Sequence, residues 1–189
     1  HVRLHSFPTR RSSDLIARLD RLAIAPESST SPHGWLLAGN RAMQAADYAA
    51  ARAAYARALV DLPRHPEVHR NLALALARLG EWDAAAQAMR AAYALAPDDA
   101  ELRAAYLAIE TDAGIAAVQH DDLTGAAEHF LHLLARWPDE PTALANLGNL
   151  RRREHRLPEA RAIYRRFLAH HPDHPAADTI REALASIEE

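Results

Sequence analysis

The chain has no cysteine and no lysine. Without thiols there is no disulfide, no thiolate zinc site and no cysteine nucleophile, and the redox compartment stays open. All 22 basic residues are arginine. With the excess of alanine, that reads as the codon bias of a GC-rich bacterial genome and says little about mechanism. Aromatic residues make up only 6%, and the 6 glycines form no phosphate-cradling cluster. No apolar run approaches the roughly 18 residues that a membrane-spanning helix needs. A formal net charge of −3 argues against generic nucleic-acid binding.

What remains is alanine and leucine. Hydrophobic residues are 49% of the 189, and this mixture suits tightly packed helices, whereas sheets favour β-branched and aromatic residues. The length fits one domain or a short run of repeats. Residues 5–15, HSFPTRRSSDL, resemble the translation of a common sequencing adapter. Residues 1–15 are therefore read as an assembly scar that contributes nothing to folding. On that reading Arg10-Arg11 is no twin-arginine export signal, the native N-terminus is missing, and the remaining charge is −5 (19 basic, 24 acidic).

Self-similarity dominates the rest. Pro63 and Pro97 lie 34 residues apart, as do Tyr48 and Trp82, Ala51 and Ala85, Tyr55 and Met89, and Ala58 and Ala92. The same spacing relates Gly114 to Gly148, Leu123 to Leu157, Ala126 to Ala160, Phe130 to Tyr164, and Pro138 to Pro172. Small residues such as Gly39, Ala51, Gly148 and Ala160 let helices approach, and large ones such as Tyr55, Met89, Phe130 and Tyr164 fill the hollows opposite. Pro63, Pro97, Pro138 and Pro172 end helices, because proline lacks an N–H and clashes with the preceding turn. Pro158 sits in a first turn, where the missing N–H costs nothing.

A period of 34 residues with an opening W35-x2-A38-G39 resembles the tetratricopeptide repeat (TPR), a helix–turn–helix unit. The resemblance covers residues 32–174 and implies an all-α, right-handed α-solenoid with a C-terminal capping helix. Four repeats are placed at 32–65, 66–99, 107–140 and 141–174. Pro97 and Pro138 are 41 apart. The seven extra residues, 100–106, are roughly two turns and keep the apolar face nearly in phase, so one elongated helix is expected from about Asp99 to His120, the alternative being two pieces with a short break near Tyr106. Residues 175–189 read as the capping helix, with Ile180, Leu184 and Ile187 on one face. Residues 16–31 read as the tail of an earlier helix and a polar linker.

The resemblance also implies that first helices line a concave groove holding a peptide or partner protein. Carried over by repeat position, the groove residues are His33, Leu36, Leu37, Asn40 and Gln44, then Glu67, Arg70, Asn71, Leu74 and Arg78. The third repeat gives Thr111, Asp112, Ile115 and Gln119, and the fourth gives Ala145, Asn146, Asn149, Arg152 and Arg153. Of these, Asn40, Gln44, Arg70, Asn71, Arg78, Asn146, Asn149, Arg152 and Arg153 are the candidate binding residues. Asn71 and Asn146 share a repeat position at which some families clamp a peptide backbone, since a primary amide both donates and accepts. Leu37 and Asp112 interrupt that series, and the competing reading is a bond from helix to helix. Arginines 151, 152, 153, 156, 161, 165 and 166 could grip an acidic peptide, or form a solvated face balanced by Glu154 and Glu159. Exposed second-helix residues such as Arg161 are expected to be silent in binding.

His129 and His132 are spaced i, i+3 beside Glu128, and His170, His171 and His174 cluster at a turn. Neither closes a metal-ligand set, and no metal or cofactor is expected. No nucleophile elbow or Walker loop occurs, so the chain is read as a binding scaffold and not an enzyme. The alternative is the TPR part of a larger bacterial enzyme, of glycosyltransferase or sulfotransferase type, or a secretion assembly factor. The expected partner is protein or peptide, not nucleic acid or membrane. A monomer is expected, and the cytoplasm is the favoured compartment.

Overall fold

A computed structural model of the chain describes residues 31–187. The expectations for residues 1–15 and for a helix over 16–25 fall outside the described residues. Those residues form helices and turns only, with no strand among them. The helices are α1 (Pro32–Gln44), α2 (Tyr48–Asp61), α3 (Pro66–Arg78), α4 (Trp82–Leu95), α5 (Ala100–Gln119), α6 (Leu123–Arg136), α7 (Pro141–Arg153), α8 (Leu157–His170) and α9 (Ala177–Ala185).

Proline opens α1, α3 and α7, where its fixed φ suits the first turn, and α8 carries Pro158 there. Side-chain caps satisfy the orphan N–H groups that every helix start exposes. Ser31 Oγ accepts from Gly34 N at 3.0 Å, Asp47 from Ala50 N at 3.0 Å, and Asp122 from Gly125 N at 2.9 Å. Asp99 Oδ1 caps α5 through Glu101 N and Leu102 N. The turn inside each pair holds one residue at positive φ: Ala46, Gly80, Asp121 and His155. These occupy one repeat position, so the turn geometry recurs although only Gly80 adopts it without steric cost. α5 is a single 20-residue helix, and the seven residues beyond the 34-residue period enter as helical turns.

The chain divides into two compact units, meeting between residues 109 and 110. In the first, helices α1 to α4 pack in chain order around Tyr55, Val68, Met89 and a set of buried alanines. The first half of α5 adds Leu102, Ala105 and Tyr106, whose ring meets Tyr93 edge-on at 5.3 Å. In the second unit, Val118, Ala126, Phe130, Leu147 and Leu150 form one cluster. Leu144, Ala160, Tyr164, Phe167, Ala177 and Ile180 form another, with Leu184 and Ile187 packed on it. α9 thus lays its apolar stripe on α8.

One packing relation recurs. A Cβ added to Gly39 would stand 2.3 Å from the Tyr55 ring, at Gly114 2.6 Å from Phe130, and at Gly148 2.5 Å from Tyr164. The aromatic ring lies directly on the facing helix backbone in three repeats. The second repeat has Ala73 and Met89 at the same two positions, both fully buried.

The turn between α8 and α9 is built from histidines. The rings of His171 and His174 both lie against Phe167, at 5.6 and 5.4 Å. His171 Nε2 bonds the Asp139 carbonyl, and His174 Nδ1 accepts from Ala176 N at 3.1 Å. That acceptance needs an unprotonated Nδ1. Burial, and then the charge of His171, lower the pKa of His174 from its usual 6.5. A lowered folded-state pKa means that the unfolded chain binds the extra proton first. Its contribution is therefore complete above about pH 6.5 and declines as the pH falls from there through the lowered value. Denaturation at pH 7.5 and pH 5.5 should show a smaller acid loss in His174→Asn, which keeps an acceptor but does not titrate, than in the parent chain. Equal losses would assign the acid sensitivity to other groups.

Candidate functional site

The first helices carry the predicted site residues, and the structure sorts these by whether their polar groups are already engaged. In the first unit they are. Asn40 Oδ1 accepts from Tyr55 Oη at 2.7 Å and from Asn71 Nδ2 at 3.0 Å. Asn71 Oδ1 in turn accepts from Arg70 Nε at 3.3 Å. This chain of bonds runs from α3 to α1 and down to α2, tying one repeat to the next. The helix-to-helix reading of Asn71 holds here. Arg78 lies over the Tyr48 ring, 5.7 Å from its centre, so its charge rests against the start of α2. Gln44 is exposed. Leu36 and Leu74 are buried, so they act as core and not as surface.

The second unit differs. Tyr164 Oη donates to Asn149 Oδ1 at 2.7 Å, the same relation as Tyr55 with Asn40. Both asparagines hold the ninth position of their repeats and both tyrosines the twenty-fourth. Where the twenty-fourth residue lacks a hydroxyl, as with Met89 and Phe130, the ninth is apolar, Leu74 and Ile115. Asn40 and Asn149 are therefore partners of a buried tyrosine before they are anything else. Sequence reading missed this pairing, although the co-occurrence was there to be seen.

Asn146 stands apart. It is only 8% exposed, and among the described residues its amide has no hydrogen-bond partner. The reason lies in the repeat relation. Asn71, its counterpart, bonds Asn40 in the preceding repeat, but the residue corresponding to Asn40 there is Ile115, which offers no polar atom. Asp112, the sixth residue of the third repeat, is half-buried and likewise engages no hydrogen bond or cation among the described residues. Burial raises its pKa from 3.8 to about 6. No offsetting charge or hydrogen bond contributes to that shift.

The arginines of α7 split three ways. Arg151 is paired with Glu154 at 2.6 Å and Glu159 at 3.3 Å. Arg153 is bonded to Asp121 at 2.6 Å and to the Val118 carbonyl at 3.3 Å. Arg152 lies beside the Tyr164 hydroxyl, whose pKa is raised by burial and held back by that guanidinium. Its Nε is buried with no partner. Beyond α7, Arg156 pairs with Glu159 and Arg166 with Asp139, as a balanced outer face would. Arg161 donates to the Ile187 carbonyl at 2.8 Å. It tethers the chain after α9 and is not the neutral outer residue that its sequence position suggested.

The histidine spacing resolves into packing. His129 is buried with Nδ1 2.7 Å from Oε2 of the fully buried Glu110, while His132 is exposed. Among the described residues no three His, Asp or Glu side chains gather as metal ligands, and no helix is long and apolar enough to cross a membrane.

Comparison with curated proteins finds none that matches. A family model, tetratricopeptide repeat, matches residues 36–100 and 111–186, two stretches separated by the first half of α5. Repeats of this kind generally mediate protein–protein interaction. With most of its length matched in two blocks and its helix pairs packed glycine against aromatic, the chain belongs to the tetratricopeptide repeat family.

Proposed function

We propose that the chain is an interaction scaffold that binds an extended peptide segment of a partner protein, and that the binding residues are concentrated in the second unit. Asn146 carries this reading. The residue is 8% exposed and its amide bonds no described residue, and a peptide backbone supplies both the donor and the acceptor it lacks. Arg152, with a buried Nε unspent, adds a cationic donor on the same helix. The first unit's amides are consumed by one another and by Tyr55, so Asn40, Asn71 and Arg70 act in holding repeats together.

Selection of binders from a displayed peptide library on the full chain, followed by titration, tests this. Asn146→Ala and Arg152→Ala should each weaken binding by roughly five- to a hundredfold, the equivalent of losing one buried hydrogen bond. The exposed second-helix changes Gln87→Ala and Glu128→Ala should leave it unchanged. Loss of binding in the Gln87 or Glu128 variants alone would move the site to the outer face.

A further inference from the structure

We infer that Asp112 is a specificity residue: it receives a cationic group of the bound peptide, a lysine or arginine side chain, beside the Asn146 amide. The inference rests on the peptide-binding reading and narrows it to one ligand chemistry.

Asp112 stands at the sixth position of its repeat, as Asn146 and Asn71 do in theirs. In the first unit that position is seen at work: Asn71 reaches back to the ninth residue of the preceding repeat, Asn40, at 3.0 Å. The corresponding ninth residue before Asn146 is Ile115, one turn after Asp112 on α5. Residues three apart share a helix face, so the turn of α5 that corresponds by repeat position to the Asn40 turn presents a carboxylate and an isoleucine and no amide. The carboxylate has neither a hydrogen bond nor a cation among the described residues. Its burial goes uncompensated within the chain, as the direction of its pKa confirms. A half-buried carboxylate without a partner is partly desolvated at a cost, and that cost is relieved by a ligand that brings a positive donor. A neutral amide at this position would accept from any peptide N–H. An ionised carboxylate only accepts, so it prefers donors that carry charge and repels an acidic ligand. Ile115 and the buried Ala116 beside it provide an apolar surface along which the methylenes of a lysine or arginine stem lie well.

The nearby arginines do not cancel this. Arg151 and Arg153 are already paired with Glu154, Glu159 and Asp121. Arg152 lies two turns further along α7 from Asn146 and sits at Tyr164. The surface therefore carries an acidic end at Asp112 and a basic end at Arg152, with the amide on the Asp112 side.

The test uses the full chain and a positional-scanning library of N-acetylated, C-amidated decapeptides, with one position at a time fixed as Lys, Arg, Gln or Glu. The parent chain should retain the Lys and Arg pools over the Gln and Glu pools by roughly tenfold at one or two adjacent positions. Asp112→Asn, which preserves shape, should erase that preference while still binding the Gln pool. Asn146→Ala should weaken all pools alike. Binding with no basic preference, or a preference that survives Asp112→Asn, overturns the assignment of Asp112 and leaves the peptide-binding reading standing. Failure of every pool to bind the parent chain overturns both. Far-UV circular dichroism of each variant separates lost binding from lost fold.

Discussion

Gly148→Leu is expected to lower the unfolding midpoint of the chain more than any surface change, by about 3 kcal/mol or more. Even a methyl group at this position would stand 2.5 Å from Cε1 of Tyr164. The tyrosine cannot swing away, because it is fully buried and its hydroxyl is fixed to Asn149. Overpacking a close-packed interior forces backbone shifts that cost roughly 1–3 kcal/mol for modest additions, and an isobutyl group is not modest. Gly148→Ala gives a finer measurement. Alanine is the better helix former by about 1 kcal/mol, so a net loss would show that contact with the ring outweighs propensity. The second repeat indicates how the loss is reversed. It places Ala73, Leu74 and Met89 where the fourth has Gly148, Asn149 and Tyr164. The triple variant Gly148→Ala, Asn149→Leu, Tyr164→Met should therefore recover most of the stability that Gly148→Ala loses. Urea denaturation followed by circular dichroism measures all three. A midpoint for Gly148→Leu equal to the parent's would mean that the glycine does not face its own pair.

The glycine–aromatic relation was legible in the sequence because it is local. Sixteen positions separate the small and the large residue in every repeat, as glycine and an aromatic ring in three of them and as Ala73 and Met89 in the second. The proline stops and the two added turns of α5 follow from the same arithmetic. The polar residues were harder to read. Asn71 and Asn146 look identical along the chain, but one meets Asn40 and the other a position held by isoleucine, so their chemistry depends on the neighbouring repeat. Arg161 looked like a free outer charge because its partner is the carbonyl of Ile187, well beyond its own helix pair. Periodicity reports which residues share a face. What an exposed or buried polar atom meets across that face is a non-local matter, and it differs among repeats of one pattern.

Glu110 and His129 show the same limit at the largest energetic scale after Gly148. By spacing alone His129 was grouped with His132 and Glu128, but its partner is a carboxylate on α5 that no motif singles out. Both members are buried, 2.7 Å apart. Removing one member takes this bond from the other in a medium that solvates it poorly, typically at about 1–3 kcal/mol. Glu110→Ala and His129→Ala should each destabilise on that scale, with the cavity left by the lost side chain adding to it. Replacing both members by apolar residues of similar size is often close to neutral. The fourth repeat already contains such a solution, with Leu144 and Ile163 at the corresponding positions, where Leu144 is buried and Ile163 packs against the core. The double variant Glu110→Leu, His129→Ile should therefore be far more stable than either alanine variant, and a double-mutant cycle through Glu110→Leu and His129→Ile should show strong coupling. Additive losses would mean that the two side chains act independently. A double variant as unstable as the singles would mean that this pair holds α5 to α6 by a geometry no apolar pair reproduces.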